Sequence, residues 1–354
     1  MDGTPNVSSL RITPEILGLI AEIDEFKGAW LALGRLEPER LSRLRRVATI
    51  ESVGSSTRIE GAKLSDAEVE RLLSEVEVGS FATRDEQEVA GYADTLNTVF
   101  AAWEVIDLTE NHVRQLHRDL LKYSEKDERH RGAYKTLPNH VEAFGPDGTR
   151  LGVVFETAAP FDTPRLTADL LSWTQAGLAR PSPDLHPLLT IAVFVVTFLA
   201  IHPFQDGNGR LSRILTTLLL LRAGYGYVSY SSLERVVEQS RDAYYLALRR
   251  TQRTLRTRAP DWSPWLGYFL AALQRQKQHL QETIERERLM LGDLPELSLR
   301  ILRIARDHSR VTIRAAAEAT GASRNTIKDH VKALTRNGHL TRHGHGRGTW
   351  YRPT

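Results

Sequence analysis

The sequence predicts a mainly α-helical protein. It reads as a helical bundle with a small β-hairpin flap, an N-terminal helical segment, and a C-terminal domain of three helices and a second hairpin. Three observations carry this reading. Apolar residues recur at spacings of three and four over most of the chain, the helical period. Short apolar alternation broken by turn residues is confined to two stretches, one running into Gly145-Pro-Asp-Gly148 and one around Gly344-His-Gly-Arg-Gly348. Charge is unevenly spread: residues 297–354 hold 12 Lys/Arg against 3 Asp/Glu, leaving 35 against 41 for the rest of the 354 residues. A mildly acidic body with a basic tail domain points to an anionic partner at the C-terminus.

The N-terminal segment is helical from Pro14 to about Val78. Leu17, Ile20, Ile23 and Phe26 repeat every three residues, and Pro38 opens a second helix carrying Leu41, Leu44, Val47, Ile50 and Val53. That helix runs into Ser56-Thr-Arg-Ile-Glu60-Gly61, where Ser56 and Glu60 share a face and Gly61 stops the helix. Helices follow over Glu86–Phe100 and Thr109–Leu121, with Thr109 as N-cap. Residues from Arg131 to about 155 then read as the hairpin, turning at Asp147-Gly148. A helix at Leu166–Gly177 and a loop with Pro181 and Pro183 lead to the longest apolar run, Leu188–Ile201. That run has 14 residues, against the roughly 20 needed to cross a bilayer, so it reads as a buried core helix.

The run feeds His202-Pro-Phe-Gln-Asp-Gly-Asn-Gly-Arg-Leu-Ser-Arg213, and a second apolar segment, Leu211–Leu221, leads out. The motif is a loop between two buried helices that continues into the first turn of the second. Gly207 and Gly209 let backbone N–H groups turn inward at a helix N-terminus, which makes an anion site. Arg210 and Arg213, three apart, can reach phosphate oxygens from one helix face. Asp206 is a hard carboxylate suited to a Mg²⁺ shared with phosphates. His202 is the candidate base.

Every fixed position of this loop is similar to the signature of Fic-domain proteins, HPFxDGNGRxxR. The resemblance implies AMP transfer from ATP to a Tyr, Thr or Ser hydroxyl of a target protein. In it His202 removes the proton, Asp206 holds Mg²⁺, and the Gly207–Gly209 backbone with Asn208 cradles the α- and β-phosphates. Arg210 and Arg213 neutralise the leaving group. Ser56 to Gly61 matches the family's inhibitory pattern, [S/T]xxxE[G/N], which implies that Glu60 pairs with Arg210 in the space of the γ-phosphate. The hairpin resembles the family's flap, which holds a target segment by β-augmentation; Leu137 to Val141 would be the docking strand, presenting Leu137, Asn139, His140 and Val141. The Tyr-Tyr-x-Ala-Leu run at 244–248 resembles the helix behind the nucleotide, so Tyr244 or Tyr245 borders the adenine or belongs to a core stripe. Removal of AMP with Glu60 orienting water, or a bifunctional enzyme, stays an alternative, as does a DNA-binding regulator that senses nucleotide. A γ-phosphate-transferring toxin is disfavoured, because such proteins often carry Lys where this chain has Gly209.

After Trp262-Ser-Pro-Trp265 a helix turns polar on all sides from Gln274 to Arg288, as helices bridging domains do. Leu297–His308, Thr312–Thr320 and a helix capped by Ser323 follow, with Gly321 as the turn. With the glycine hairpin they resemble a winged helix-turn-helix. Arg324, Asn325 and Lys328 would enter a major groove and Arg347 would touch phosphate; docking of a protein target or of a second copy of the chain is the other reading. The expected organisation is 1–100 N-terminal helices, 101–275 the flap-bearing core, 276–295 linker helix and 296–354 winged helix. There are no cysteines, which excludes disulfides and fits a reducing cytoplasm. The acidic N-terminus does not read as a signal peptide, so a cytoplasmic protein without membrane contact is expected, with self-modification and homodimerisation open.

Overall fold

The boundaries follow the punctuation of the sequence. The computed structural model describes residues 3–32, 38–74, 81–144, 150–179, 185–292 and 294–354; the side chains of residues 32, 39, 141–144, 150–154, 287–292 and 347 lie outside that description. Proline opens α1 (Pro14–Ala32) and α2 (Pro38–Ile59), and Gly61, at φ 107°, ends the path out of α2. The stretch expected to be helical to Val78 therefore holds a third helix, α3 (Asp66–Ser74). Thr83 caps α4 (Arg84–Ala102) in a reciprocal box with Glu86, and Thr109 caps α5 (Glu110–Leu120).

Next come the strands β1 (Val141–Phe144) and β2 (Arg150–Phe155), paired antiparallel with Glu142 opposite Val153. Strand structure thus begins later than the expected docking segment. Pro138 has no N–H to give a ladder, and Tyr134 instead forms an isolated antiparallel bridge with Phe204. The expected turn at Gly145–Gly148 lies outside the described residues, as do Pro181 and Pro183. α6 (Thr163–Ala179) leads on to α7 (Pro187–Ile201), which is buried at every position from Leu188 to Ile201. It packs between α6 and α8 (Asn208–Arg222). Each buried Leu, Val, Ile or Phe contributes about 1.5–3 kcal/mol, so this pair fixes the position of the loop between them. α8 also meets α4 and α2, and α2 lies along α9 (Leu233–Gln239). α10 (Arg241–Gln252) and α11 (Ser263–Gly292) follow, with Trp265 of α11 donating Nε1–H to the Ala192 carbonyl of α7 at 2.7 Å.

The chain forms two compact units, Met1–His279 and Leu280–Thr354. In the second, α12 (Glu296–Asp307), α13 (Ile313–Thr320) and α14 (Arg324–Arg336) enclose a core that includes Ile301, Leu302, Ile327, Val331 and Leu334. Thr312 and Ser323 cap the latter two helices and Gly321 turns between them at φ 74°. β3 (Leu340–His343) and β4 (Trp350–Pro353) pair antiparallel as the wing. Among the described residues no helix is long and apolar enough to cross a membrane.

Candidate active site

The loop is set by what ends α7 and what begins α8. His202 terminates α7 in the left-handed region, φ 56° and ψ 61°, with its N–H on the Phe198 carbonyl at 2.8 Å. Such a conformation costs a non-glycine residue about 1–2 kcal/mol and needs support from its surroundings. The ring's Nδ1 lies 3.3 Å from the Leu199 carbonyl. A carbonyl can only accept, so Nδ1 carries the proton and Nε2 keeps its lone pair. Burial pushes the His202 pKa down to about 4, against the Leu199 hydrogen bond that raises it, so the ring is neutral at pH 7.

Phe204 anchors the loop, fully buried and stacked on His117 at 3.8 Å between centroids. Asn208 closes it: its Oδ1 accepts from Phe204 N–H at 2.9 Å and its Nδ2 donates to the Phe204 carbonyl at 2.7 Å. The Asn208 side chain was expected to help hold phosphate; both its functions are instead spent on the loop backbone, because those two groups have no helix or sheet partner. What remains for an anion is the backbone of the α8 N-terminus. Gly207 sits there at φ 78° as a cap without a side chain.

The two arginines divide. Arg210, 2% exposed, lies 3.2 Å from Glu88 Oε2 and 3.5 Å from Asp206 Oδ1. Its Nη1 is the atom facing Glu88 in that ion pair, and its buried Nε makes no hydrogen bond among the described residues. Arg213 points the other way. Its Nε donates to Ser56 Oγ at 2.8 Å, and its Nη2 donates to the Ser56 carbonyl at 3.0 Å and to Glu60 Oε1 at 2.8 Å. The expected Glu60–Arg210 pair is thus corrected to Glu60–Arg213. Arg210 is one turn beyond Asp206 and turns back toward it and α4, whereas Arg213 falls on the side of α8 that meets α2. Burial works against the Glu60 charge, but Arg213, aided by Arg210, outweighs it and holds the carboxyl below its usual range. Glu60 presses so closely on Gly209 that a Cβ at that position would collide with the carboxylate.

Asp206 accepts from Gly207 N–H at 2.6 Å, and Lys126 stands 3.5 Å and Arg84 3.9 Å from its Oδ2. Burial opposes its charge, yet Arg210, the Gly207 N–H, Lys126 and Arg84 together hold it ionised below the usual carboxylate range. Among the described residues no group of three or more His, Cys, Asp or Glu side chains could hold a metal. A Mg²⁺ that takes one protein carboxylate and completes its shell with water and phosphate oxygens fits this donor set.

A cavity of about 720 Å³ opens over the loop, lined by Glu60, His202, Asp206, Gly207, Gly209 and Arg213 on one side and by Tyr244, Tyr245, Leu248 and Gln252 on the other. That volume suits a small-molecule ligand. Tyr244, 5% exposed, also packs on Trp265 and Tyr268, so it is wall and core at once. Of the residues expected on the flap, Leu137 is exposed, and His140 Nδ1 accepts from Thr157 N–H at 3.2 Å. Asn139 does not face outward: its Nδ2 donates to the carbonyls of Phe204 at 2.6 Å, which Asn208 also reaches, and of His202 at 3.3 Å. Val141 starts β1, its side chain outside the description, as is that of Arg347 in the wing. Arg324, Asn325 and Lys328 are exposed at the start of α14.

Glu88, His117, Lys135 and Gln252 were not foreseen. His117 holds the loop from beneath, with Nε2 donating to the Asp206 carbonyl at 3.0 Å and Nδ1 accepting from Gly132 N–H at 2.9 Å. The one signal for it is its position four residues after Val113 on the apolar face of α5.

Residues 107–220 match the Fic/DOC family model, and residues 294–340 match the model for winged helix-turn-helix DNA-binding domains. The protein adenylyltransferase Fic of Drosophila yakuba is 28% identical over 207 residues, 58% of this chain and 37% of that protein. The Drosophila grimshawi protein of the same name is 26% identical over 228 residues, 64% and 42% of the two chains. The chain spans less than half the length of these curated relatives. A solved Fic family protein from Desulfovibrio desulfuricans matches 98% of both chains with a TM-score of 0.64 and 25% identity. A Fic domain containing signaling protein from Bacteroides thetaiotaomicron matches 73% of this chain and 95% of its own, with a TM-score of 0.59 and 25% identity.

Proposed function

We propose that this chain, which carries a Fic domain at residues 107–220 and a winged helix-turn-helix at 294–340, transfers AMP from ATP to a Tyr, Thr or Ser hydroxyl of a target protein, with Glu60 as its brake. The observation that carries this reading is the single cavity in which a neutral His202, the α8 N-terminus, Arg213 and Asp206 converge. His202 Nε2 takes the proton of the target hydroxyl. The freed oxygen attacks the α-phosphorus of ATP, the bond to the bridging oxygen breaks, and pyrophosphate leaves. The N–H groups at Gly207–Gly209 receive phosphate oxygens, and Arg210 and Arg213 neutralise charge on the leaving group. Asp206 would hold Mg²⁺, which when bound neutralises negative charge on the phosphates. Tyr245, Leu248 and Gln252 form the wall for the base. Incubation with α-labelled ATP and Mg²⁺ tests the reading: label on protein supports it, and none from a folded protein lacking the Glu60 carboxylate refutes it.

The placement of Glu60 on the same cavity as His202 also favours a second reading, in which Glu60 orients water to remove AMP from a modified protein.

His202 makes the pH dependence distinctive. The pKa in the free enzyme lies near 4 instead of 6.5, and the neutral form is the base. Transfer measured as kcat/KM, which reports the free enzyme, should stay level as pH falls through 6.5 and drop only toward pH 4. A midpoint near 6.5 would contradict the burial argument.

For the second unit we propose DNA binding through α14 and the wing. Binding of the full chain to duplex DNA should weaken steeply with salt, with a log–log slope of about −0.9 for each phosphate neutralised. Absence of binding at low salt would favour docking of protein by this basic unit.

A further inference from the structure

The left-handed His202 is supported from the segment before the hairpin and from the segment after it. Lys135, 3% exposed, places its ammonium among three acceptors: Asn139 Oδ1 at 2.8 Å, Thr157 Oγ at 3.0 Å and the Ile201 carbonyl at 3.0 Å. An ammonium has three N–H bonds, and all three are used. The Ile201 carbonyl belongs to the last turn of α7, where the helix itself offers no partner. Asn139, held by Lys135, passes the connection to the carbonyls of His202 and Phe204. Lys135 N–H donates to the Pro203 carbonyl at 2.9 Å, and Thr157 Oγ–H lies 3.1 Å from Asn139 Oδ1. Thr157 stands just past β2, so both roots of the hairpin join the network of Lys135 and Asn139 that ends on residues 201–204.

We propose that Lys135 and Asn139 are positioning residues that hold His202 in its left-handed conformation and fix the distance between the hairpin and the catalytic loop. A target segment pairing along the hairpin would then be gauged against Nε2 by this network. The inference rests on His202 being the base. Burial of the Lys135 amine pushes its pKa down to about 8, a cost that a residue contributing only bulk would not carry. Of the charged groups acting on His202, Lys135 lowers its pKa, while Glu60 and Asp206 raise it.

The test is Lys135→Met, which keeps the stem and removes the charge and donors, with Asn139→Leu beside it. In both, kcat for AMP transfer should fall about 100-fold, the cost of roughly 1 Å of misplacement, while KM for ATP stays put. In Lys135→Met the His202 pKa, followed by NMR on labelled histidine, should rise. Unchanged kcat and an unmoved His202 titration in folded variants would overturn the proposal. Should Lys135→Met not fold, Thr157→Val carries the same kcat expectation at smaller size, and its absence there is equally decisive. The titration needs no turnover, so a parent chain that transfers no AMP would sink the functional reading while leaving this inference to be decided on the His202 signal.

Discussion

Exchanging His202 for alanine is expected to slow AMP transfer about 10²–10⁴-fold, the range a positioned general base supplies, while ATP binding persists. The hydrogen bond of the ring goes to the Leu199 carbonyl and not to the α8 N-terminus or the arginines, so the anion site should survive its loss. One complication is backbone strain. At φ 56° alanine is poorly suited, whereas asparagine tolerates the left-handed region. His202→Asn should therefore lose activity to the same degree with the loop geometry kept, and the pair of variants separates lost base from lost shape. Label transfer from α-labelled ATP, alongside equilibrium ATP binding, is the measurement. Full activity in His202→Asn would remove the ring from the mechanism.

The opposite change is expected at Glu60. Its carboxylate holds Arg213 and covers Gly209, the positions a triphosphate would need. ATP can still enter with its α-phosphorus out of line, and roughly 1 Å of misplacement costs about 100-fold. Glu60→Gly should then raise AMP transfer, self-labelling included, by about that factor, and far more than it raises ATP affinity. A second substitution, Arg213→Ala, should cancel the gain, because the released guanidinium is what orients the nucleotide. A Glu60→Gly protein no more active than its parent, with the fold intact, would dismiss the brake. Loss of an AMP-removing activity in that variant would instead make Glu60 a group of the reverse reaction.

These two residues differ in how readable they were. His202, Asp206 and the glycines sit in one contiguous stretch, so their chemistry and spacing appear together in the sequence. Most helices were equally legible, because Pro38, Thr109 and Ser323 act within a turn of themselves. Long-range direction was not. Glu60 could be assigned to an arginine of α8, but which of two residues three apart faces α2 is decided by packing. Asn139 and Asn208 advertise donors and acceptors without saying where they point, and both turned inward to satisfy loop carbonyls. Glu88, Lys135 and Gln252 carry no local pattern that marks them, because the neighbours that give them a role arrive from distant segments. The hairpin was found where its strands flank Asp147-Gly148, but its first strand starts only at Val141, since Pro138 and the bridge to Phe204 compete with strand pairing before it.

If Glu60 is the brake proposed above, the Arg213 contact bears on how completely it can be released. Two of its three bonds go to Ser56, and the Ser56 carbonyl is among the last four of α2, at the negative end of that helix's macrodipole. A cation there stabilises a helix end by about 0.3–1 kcal/mol, more when partly buried. Drawing Arg213 toward a phosphate therefore loosens the last turn of α2, whether or not a carboxylate is present. Removing Glu60 takes away the competitor but leaves this residual tether. The resting arrangement is thus favoured twice, once by the acid and once by the helix end, and a ligand that recruits Arg213 must outbid both.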